Sequence, residues 1–263
     1  MPWRGTSTRV QAFQRASGYA PLECPRAPPV WSDMVLALSL LALTLSATPP
    51  TPPSGQALNT QGFRLYQAGK YPEALARFQA AAQAKPDYAL AHYNVAATLG
   101  LLRKQGKVCE YSAHRDVIVE KLTTAVRLDP RRLKRARDDA DLDVIRDTLG
   151  WQKLLGLTPE KVADVPALVR AVSWYGPGVG VYGTTRALKF QDGGRVEFWQ
   201  REVDDSGTPR ESRTPGTYTV RGRAVEITLK GRKPVSGTLS TGGVLTFPEA
   251  LGTFTDSPSE CDA

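Results

Sequence analysis

With 263 residues the chain is long enough for two domains, and 41% hydrophobic against 23% charged residues is an ordinary globular composition that implies a packed core. A net charge of +8 and a pI near 9.5 raise nucleic acid, an anionic membrane or an acidic partner. The densest basic run (Arg131, Arg132, Lys134, Arg135, Arg137) is followed at once by Asp138, Asp139, Asp141 and Asp143, so a solvated face is the better account and a nucleic-acid patch is not expected.

The apolar run at residues 35–47 carries no charge and is too short for a bilayer of about 30 Å, which takes roughly 20 helical residues. It resembles the apolar region of a secretory signal ending in the small residues Ser46 and Ala47. The Pro-rich stretch 48–55 then reads as a stiff linker. Residues 1–33 hold Pro2, Pro21, Pro25, Pro28 and Pro29 without core periodicity, and read as a disordered or mis-called extension ahead of a start at Met34. Export to the periplasm or the outside is therefore expected. A short membrane-attached segment is an alternative. So is a cytoplasmic or organelle-targeted protein, the latter since Arg4, Arg9 and Arg15 precede the first acid, Glu23.

Export would remove Cys24 and leave Cys109 and Cys261 in an oxidising compartment, which favours a bridge between them. Such a bridge would close a long loop, worth on the order of 4 kcal/mol in the chain-entropy model; two free thiols are the alternative. The cysteines and the two histidines, His92 and His114, do not provide the four closely paired ligands of a zinc site.

Residues 56–155 carry an internal period. In the first unit, 56–88, Leu58, Gly62 and Leu65 precede Gly69 and Pro72; Ala74, Phe78 and Ala81 follow, and Pro86 closes the unit. Small residues at Gly62, Ala74 and Ala81 let two helices approach, while Leu58, Leu65 and Phe78 fill the seam. Gly69 punctuates the first helix, and Pro72 falls in the first turn of the second, where proline is tolerated. A second unit begins near Ala89 and ends at Leu128-Asp129-Pro130. The closing prolines lie 44 residues apart (130 minus 86), which implies an insertion around Lys104 to Ala113 bearing Cys109. Lys134 to Leu155 reads as a degenerate closing unit, because terminal repeats are atypical.

These positions resemble the tetratricopeptide (TPR) repeat pattern, with Leu58 at the usual Trp position and Leu65 at the usual Tyr position. The resemblance implies a short α-α superhelix whose concave face holds an extended peptide or a partner helix. On that face it points to Asn59, Phe63 and Tyr66, spaced i, i+4, i+7, and to Tyr93, Asn94 and Ala97 of the second unit. The plainer alternative is that Phe63 and Tyr66 pack on a neighbouring helix and the array is a spacer.

Residues 156–168 read as a connector. From 169 to 255 the chain turns to Gly, Thr and Val, with strand-like runs at 184–190, 195–203, 217–221, 224–230, 234–240 and 244–247, between tight-turn signals, and a tail at 256–263. Alternation is clearest at Val225, Ile227 and Leu229. The fold class expected is α+β: a helical repeat array followed by an antiparallel meander, either a small barrel or a sandwich. The run Gly216-x-Tyr218-x-Val220-x-Gly222 loosely resembles small lipocalin-like envelope domains, whose barrel mouth can hold a ligand but is often simply filled.

Catalytic and cofactor motifs fail on their mechanics. Gly178-x-Gly180-x-x-Gly183 matches a dinucleotide fingerprint as a string, but a strand follows where a helix N-terminus is needed. Asp139, Asp141 and Asp143 have the opening spacing of a calcium loop, yet Val144 stands at its glycine position and Gly150 at its closing glutamate. Acids near a helix start, favoured by its dipole, are the better reading. Neither a Gly-x-Ser-x-Gly elbow nor a His-Glu-x-x-His motif occurs, and His92 reads as a face residue of a repeat helix. The expected function is a non-catalytic adaptor or scaffold for a protein or peptide, without cofactor, metal or nucleic acid; the alternative is an envelope ligand-binding barrel on which the repeats are a mount.

Overall fold

A computed structural model describes residues 53–176, 184–204, 206–248, 251–258 and 261. The extension, the signal-like run, most of the Pro-rich linker and the Gly178–Gly183 string therefore lie outside the described residues. The described part belongs to one compact unit. It is helical up to residue 171 and a sheet thereafter.

Helix α1 (Gly55–Gln67) opens where the Ser54 hydroxyl accepts a hydrogen bond from the Ala57 N–H, satisfying one of the first turn's free donors. It stops at Gly69, whose φ of 73° lies in the left-handed region that glycine enters without a Cβ clash. After this short turn comes α2 (Tyr71–Ala84), with Pro72 in its first turn. The two helices touch at Gly62, where an added Cβ would come within 2.7 Å of the Phe78 ring. Helix α3 (Ala89–Lys104) packs against α2, against α4 (Arg115–Leu128) and against the 3₁₀ segment Ala140–Ile145. It is buried on nearly every side, which is why its sequence shows little amphipathic contrast.

The insertion falls between α3 and α4, at 105–114, as the proline spacing implies. Beyond Pro130 come α5 (Arg131–Asp138), the 3₁₀ segment and α6 (Leu149–Leu154). Here the chain divides its side chains between two cores. Trp151 packs with Phe78, Tyr93, Leu99 and Ile118 in the helical core, and Leu149 joins the core of the sheet.

Part of the stretch read as a connector is folded: a 3₁₀ turn (Val162–Asp164) leads into α7 (Val165–Ala171). Val165, Leu168 and Val169 of α7 are fully buried among the inward faces of the strands. The strands are β1 (Ser173–Tyr175), β2 (Thr184–Gln191), β3 (Arg195–Val203), β4 (Pro209–Arg221), β5 (Ala224–Leu229), β6 (Val235–Leu239), β7 (Leu245–Thr246) and β8 (Thr253–Phe254). They pair antiparallel in chain order, and reciprocal backbone bonds of 2.7 and 2.8 Å between Tyr175 and Thr255 join the two edges. The meander is thus a nearly closed barrel rather than a sandwich. Val225, Ile227 and Leu229 point inward and Glu226 and Lys230 outward, as the alternation requires.

The expected strand over 217–221 is longer, because β4 begins at Pro209. Its first half is polar and exposed, paired to β3 as a ribbon through contacts such as Arg213↔Trp199 and Glu211↔Arg201. Strands β1 and β8 fall outside the expected set. Each is two or three residues long and is held by pairing rather than by any local pattern.

Candidate functional site

Five of the six concave residues read from the sequence line one cleft of about 140 Å³: Phe63 and Tyr66 from α1, and Tyr93, Asn94 and Ala97 from α3. Phe78, Thr98, Arg135, Asp139 and Asp141 complete its lining. Asn59 sits deeper. It is buried, and its side-chain oxygen accepts a 2.9 Å hydrogen bond from the Asn94 amide, so it holds a lining residue in place. Thr98 does similar work along α3, donating its hydroxyl to the Asn94 carbonyl at 2.7 Å.

The aromatic residues differ in exposure. Phe63 is 47% exposed, one of few large apolar side chains left to solvent among the described residues, whereas Tyr93 is 1% exposed. Tyr66 lies between these extremes. It packs edge-on against Tyr71, and its hydroxyl donates to the Asp141 carboxylate. Tyr66 is thus packed in part against α2, while Phe63 keeps nearly half of its surface exposed. The Tyr93 hydroxyl donates to Asp139 at 2.5 Å, and the Arg135 guanidinium stands 5.5 Å from the Tyr93 ring centroid. Both hydroxyls are held well above the ordinary tyrosine range, first by burial and then by these bonds to carboxylates.

The two carboxylates are in place because the 3₁₀ segment fits closely onto α3. An added Cβ at Gly100 would lie 2.1 Å from the Asp141 carbonyl oxygen, so only glycine permits that approach. Asp139 also caps the segment, its carboxylate accepting from the Asp141 N–H at 3.1 Å. Asp143 turns away to Arg146 at 2.9 Å and Lys104 at 3.7 Å. The calcium-like spacing thus resolves into a helix-start cap, two cleft acids and a surface ion pair. Among the described residues no three or more His, Cys, Asp or Glu side chains converge on a point where they could hold a metal. His92 donates to the Pro86 carbonyl at 2.9 Å, at the turn between α2 and α3.

The sequence reading missed Arg135, Asp139 and Asp141 as cleft residues. Their i, i+4, i+6 spacing matches no single helical face, because α5 ends at Asp138 and a 3₁₀ segment takes over. A repeat alignment alone could not bring them back over α1.

At the other end of the array a set of contacts fixes helices to barrel. Cys109 and Cys261 are bridged, with Cα atoms 5.5 Å apart and a sequence separation of 152. The Asp256 carboxylate accepts from the Leu149 N–H at 2.8 Å, and Ser173 N–H donates to the Asp147 carbonyl at 3.0 Å. The nearly buried Arg115 pairs with Asp147 and lies 5.5 Å from the Tyr175 ring centroid. The tail and the inserted loop that carry the cysteines are thus joined, which the residue count alone left open.

The chain thus joins a helical-repeat array bearing a lined cleft to a filled, nearly closed barrel. A family model described as TPR repeat matches residues 62–102, from the middle of α1 through α2 and nearly all of α3. The chain therefore contains a TPR segment, a protein–protein interaction module. No curated protein matches the chain.

Proposed function

We propose that the protein is an exported, non-catalytic adaptor that captures a protein or peptide in the cleft between α1, α3 and the 3₁₀ corner. The observation that carries this reading is the convergence of Phe63, Tyr66, Tyr93, Asn94 and Ala97 on one concavity, with Phe63 left exposed at its edge. An exposed aromatic beside a polar, hydrogen-bonded floor is the anatomy of a recognition surface. Export is supported by the signal-like run at 35–47 and by the Cys109–Cys261 bridge, a bond suited to an oxidising compartment. The ligand-binding-barrel alternative is less favoured, because α7 and the inward strand faces occupy the barrel interior.

The test is a crosslinked pull-down of the full chain from its native host. Phe63→Ala and Tyr66→Ala are expected to lose the captured partner, and Trp199→Ala, on the outer sheet face, to keep it. Capture that survives both cleft substitutions, or that is lost only with Trp199→Ala, moves the binding site to the barrel and refutes the adaptor reading. Sequencing the N-terminus of the native protein tests export separately: a chain that begins at Met1 contradicts it.

A further inference from the structure

Resting on that reading, we infer that the guest in the cleft is a basic side chain, arginine ahead of lysine, presented by an extended peptide of the partner. At about 140 Å³ the cleft is well below the roughly 300–1,000 Å³ of small-molecule sites, so it takes one side chain rather than a cofactor. Its walls are the rings of Phe63, Tyr66, Phe78 and Tyr93. Two carboxylates, Asp139 and Asp141, face one cation, Arg135, so the lining is locally acidic in a chain whose net charge is +8.

The tyrosine hydroxyls orient those carboxylates without neutralising them. Asp139 accepts from Tyr93 and from the Asp141 N–H, and Asp141 accepts from Tyr66. A carboxylate has about four acceptor positions, so capacity for a further donor remains on each. An acidic guest would meet two like charges, and an apolar guest would take water from both carboxylates and offer no donor in exchange. A guanidinium satisfies carboxylate and ring together, since it donates in a fixed fork and stacks on aromatic faces. Arg135 shows the aromatic half of this arrangement: its exposed guanidinium lies 5.5 Å from the Tyr93 ring centroid, in the cleft that Asp139 also lines. It is a resident guanidinium that competes with the guest for the acidic wall.

The experiment is an NMR titration of the full chain with N-acetyl-Leu-Arg-Leu-amide and its Lys and Glu counterparts at low salt, read at the amides of Ala97 and Thr98. The arginine peptide is expected to bind about tenfold more tightly than the glutamate peptide, the size of one charge-assisted hydrogen bond. Asp141→Asn, which keeps an acceptor for Tyr66, should weaken it about tenfold, whereas Arg135→Ala should strengthen it a few-fold. A merely structural role for the two residues does not give opposite signs, and Arg135→Ala, on an exposed side chain, remains informative if Asp141→Asn fails to fold. The inference is overturned if the glutamate peptide binds equally well, if Arg135→Ala weakens the arginine peptide, or if that peptide leaves Ala97 and Thr98 unmoved at millimolar concentration. It is also overturned if these amides respond only to protein concentration, which would make a second copy the occupant. Equal binding of both peptides, abolished by Phe63→Ala, would leave the groove reading standing and remove only the charge assignment.

Discussion

The helical array and the barrel solve their interiors differently. Among the described residues the buried polar and charged side chains, Asn59, Thr98, Arg115, Thr148 and Gln152, all precede β1, while the barrel core is apolar. A closed sheet offers each strand's inner face only to the other strands, and α7 completes the filling. Among the described residues the array leaves a cleft between α1, α3 and the 3₁₀ segment open, and there it places side chains that are hydrogen-bonded among themselves yet reachable from outside. Polar groups with satisfied partners around an exposed ring suit exchange with a guest; a filled apolar core suits a mount.

The sharpest test of this contrast is Trp174→Ala. Trp174 is fully buried in the barrel core, and its ring N–H donates to the Val169 carbonyl at 3.0 Å, tying β1 to α7. Removing it should cost about 3–5 kcal/mol in chemical denaturation, while partner capture measured well below the melting temperature stays unchanged. Loss of capture at a temperature where the chain remains folded would mean that the barrel takes part in binding. Replacing Cys109 and Cys261 together by serine comes next. The bridge closes a loop with a sequence separation of 152 residues, and its loss should cost about 2–5 kcal/mol, read as a lower melting temperature. A cost near zero would show that the Leu149–Asp256 and Ser173–Asp147 bonds hold the tail and the first strand on their own.

Gly100→Ala acts on the array alone. The new Cβ meets a backbone carbonyl, so the 3₁₀ segment must move rather than a flexible side chain. About 1–3 kcal/mol of stability should go, and the cleft should lose its acidic wall, so that capture falls more than the stability change explains. Unaltered capture would place recognition on Phe63 and Tyr66 without Asp139 and Asp141.

What the sequence disclosed follows from how local each signal is. The α1–α2 hairpin was readable because Gly62, Ala74, Phe78 and Ala81 act within one repeat; the candidate concave residues came from the repeat resemblance, with helical spacing linking only Asn59, Phe63 and Tyr66. Arg135, Asp139 and Asp141 were not, because they reach the cleft through a change from α-helix to 3₁₀ helix and a tertiary contact at Gly100. In the barrel, β2, β3 and β5 are long enough to alternate visibly. Strands β1 and β8 are too short for a period, and α7 begins within the stretch 156–168 that reads as a connector. Pro166 in fact sits in the first turn of α7, where its missing N–H costs nothing.

The smallest effect expected near neutral pH is also the most specific to the cleft. Tyr66 and Tyr93 have their hydroxyl pKa raised above the ordinary tyrosine value of 10.0, by burial first and by the bonds to Asp141 and Asp139 next; Arg135 works the other way on Tyr93. A raised folded-state pKa means that the folded chain holds these protons more tightly than the unfolded chain does. The contribution is therefore complete below pH 10 and is lost as pH rises through the folded-state values. The denaturation midpoint should be flat from neutral pH to about 10 and fall above it, with a shallower fall in the Tyr66→Phe, Tyr93→Phe double variant. Ultraviolet difference spectra of the two proteins should assign the late-titrating hydroxyls to these residues; Tyr111, raised by its bond to Glu110, appears in both and subtracts out. If instead the two hydroxyls ionise together with the exposed tyrosines, the cleft is wetter and less ordered than its hydrogen bonds imply, and the contrast between a built recognition floor and a filled barrel loses its main support.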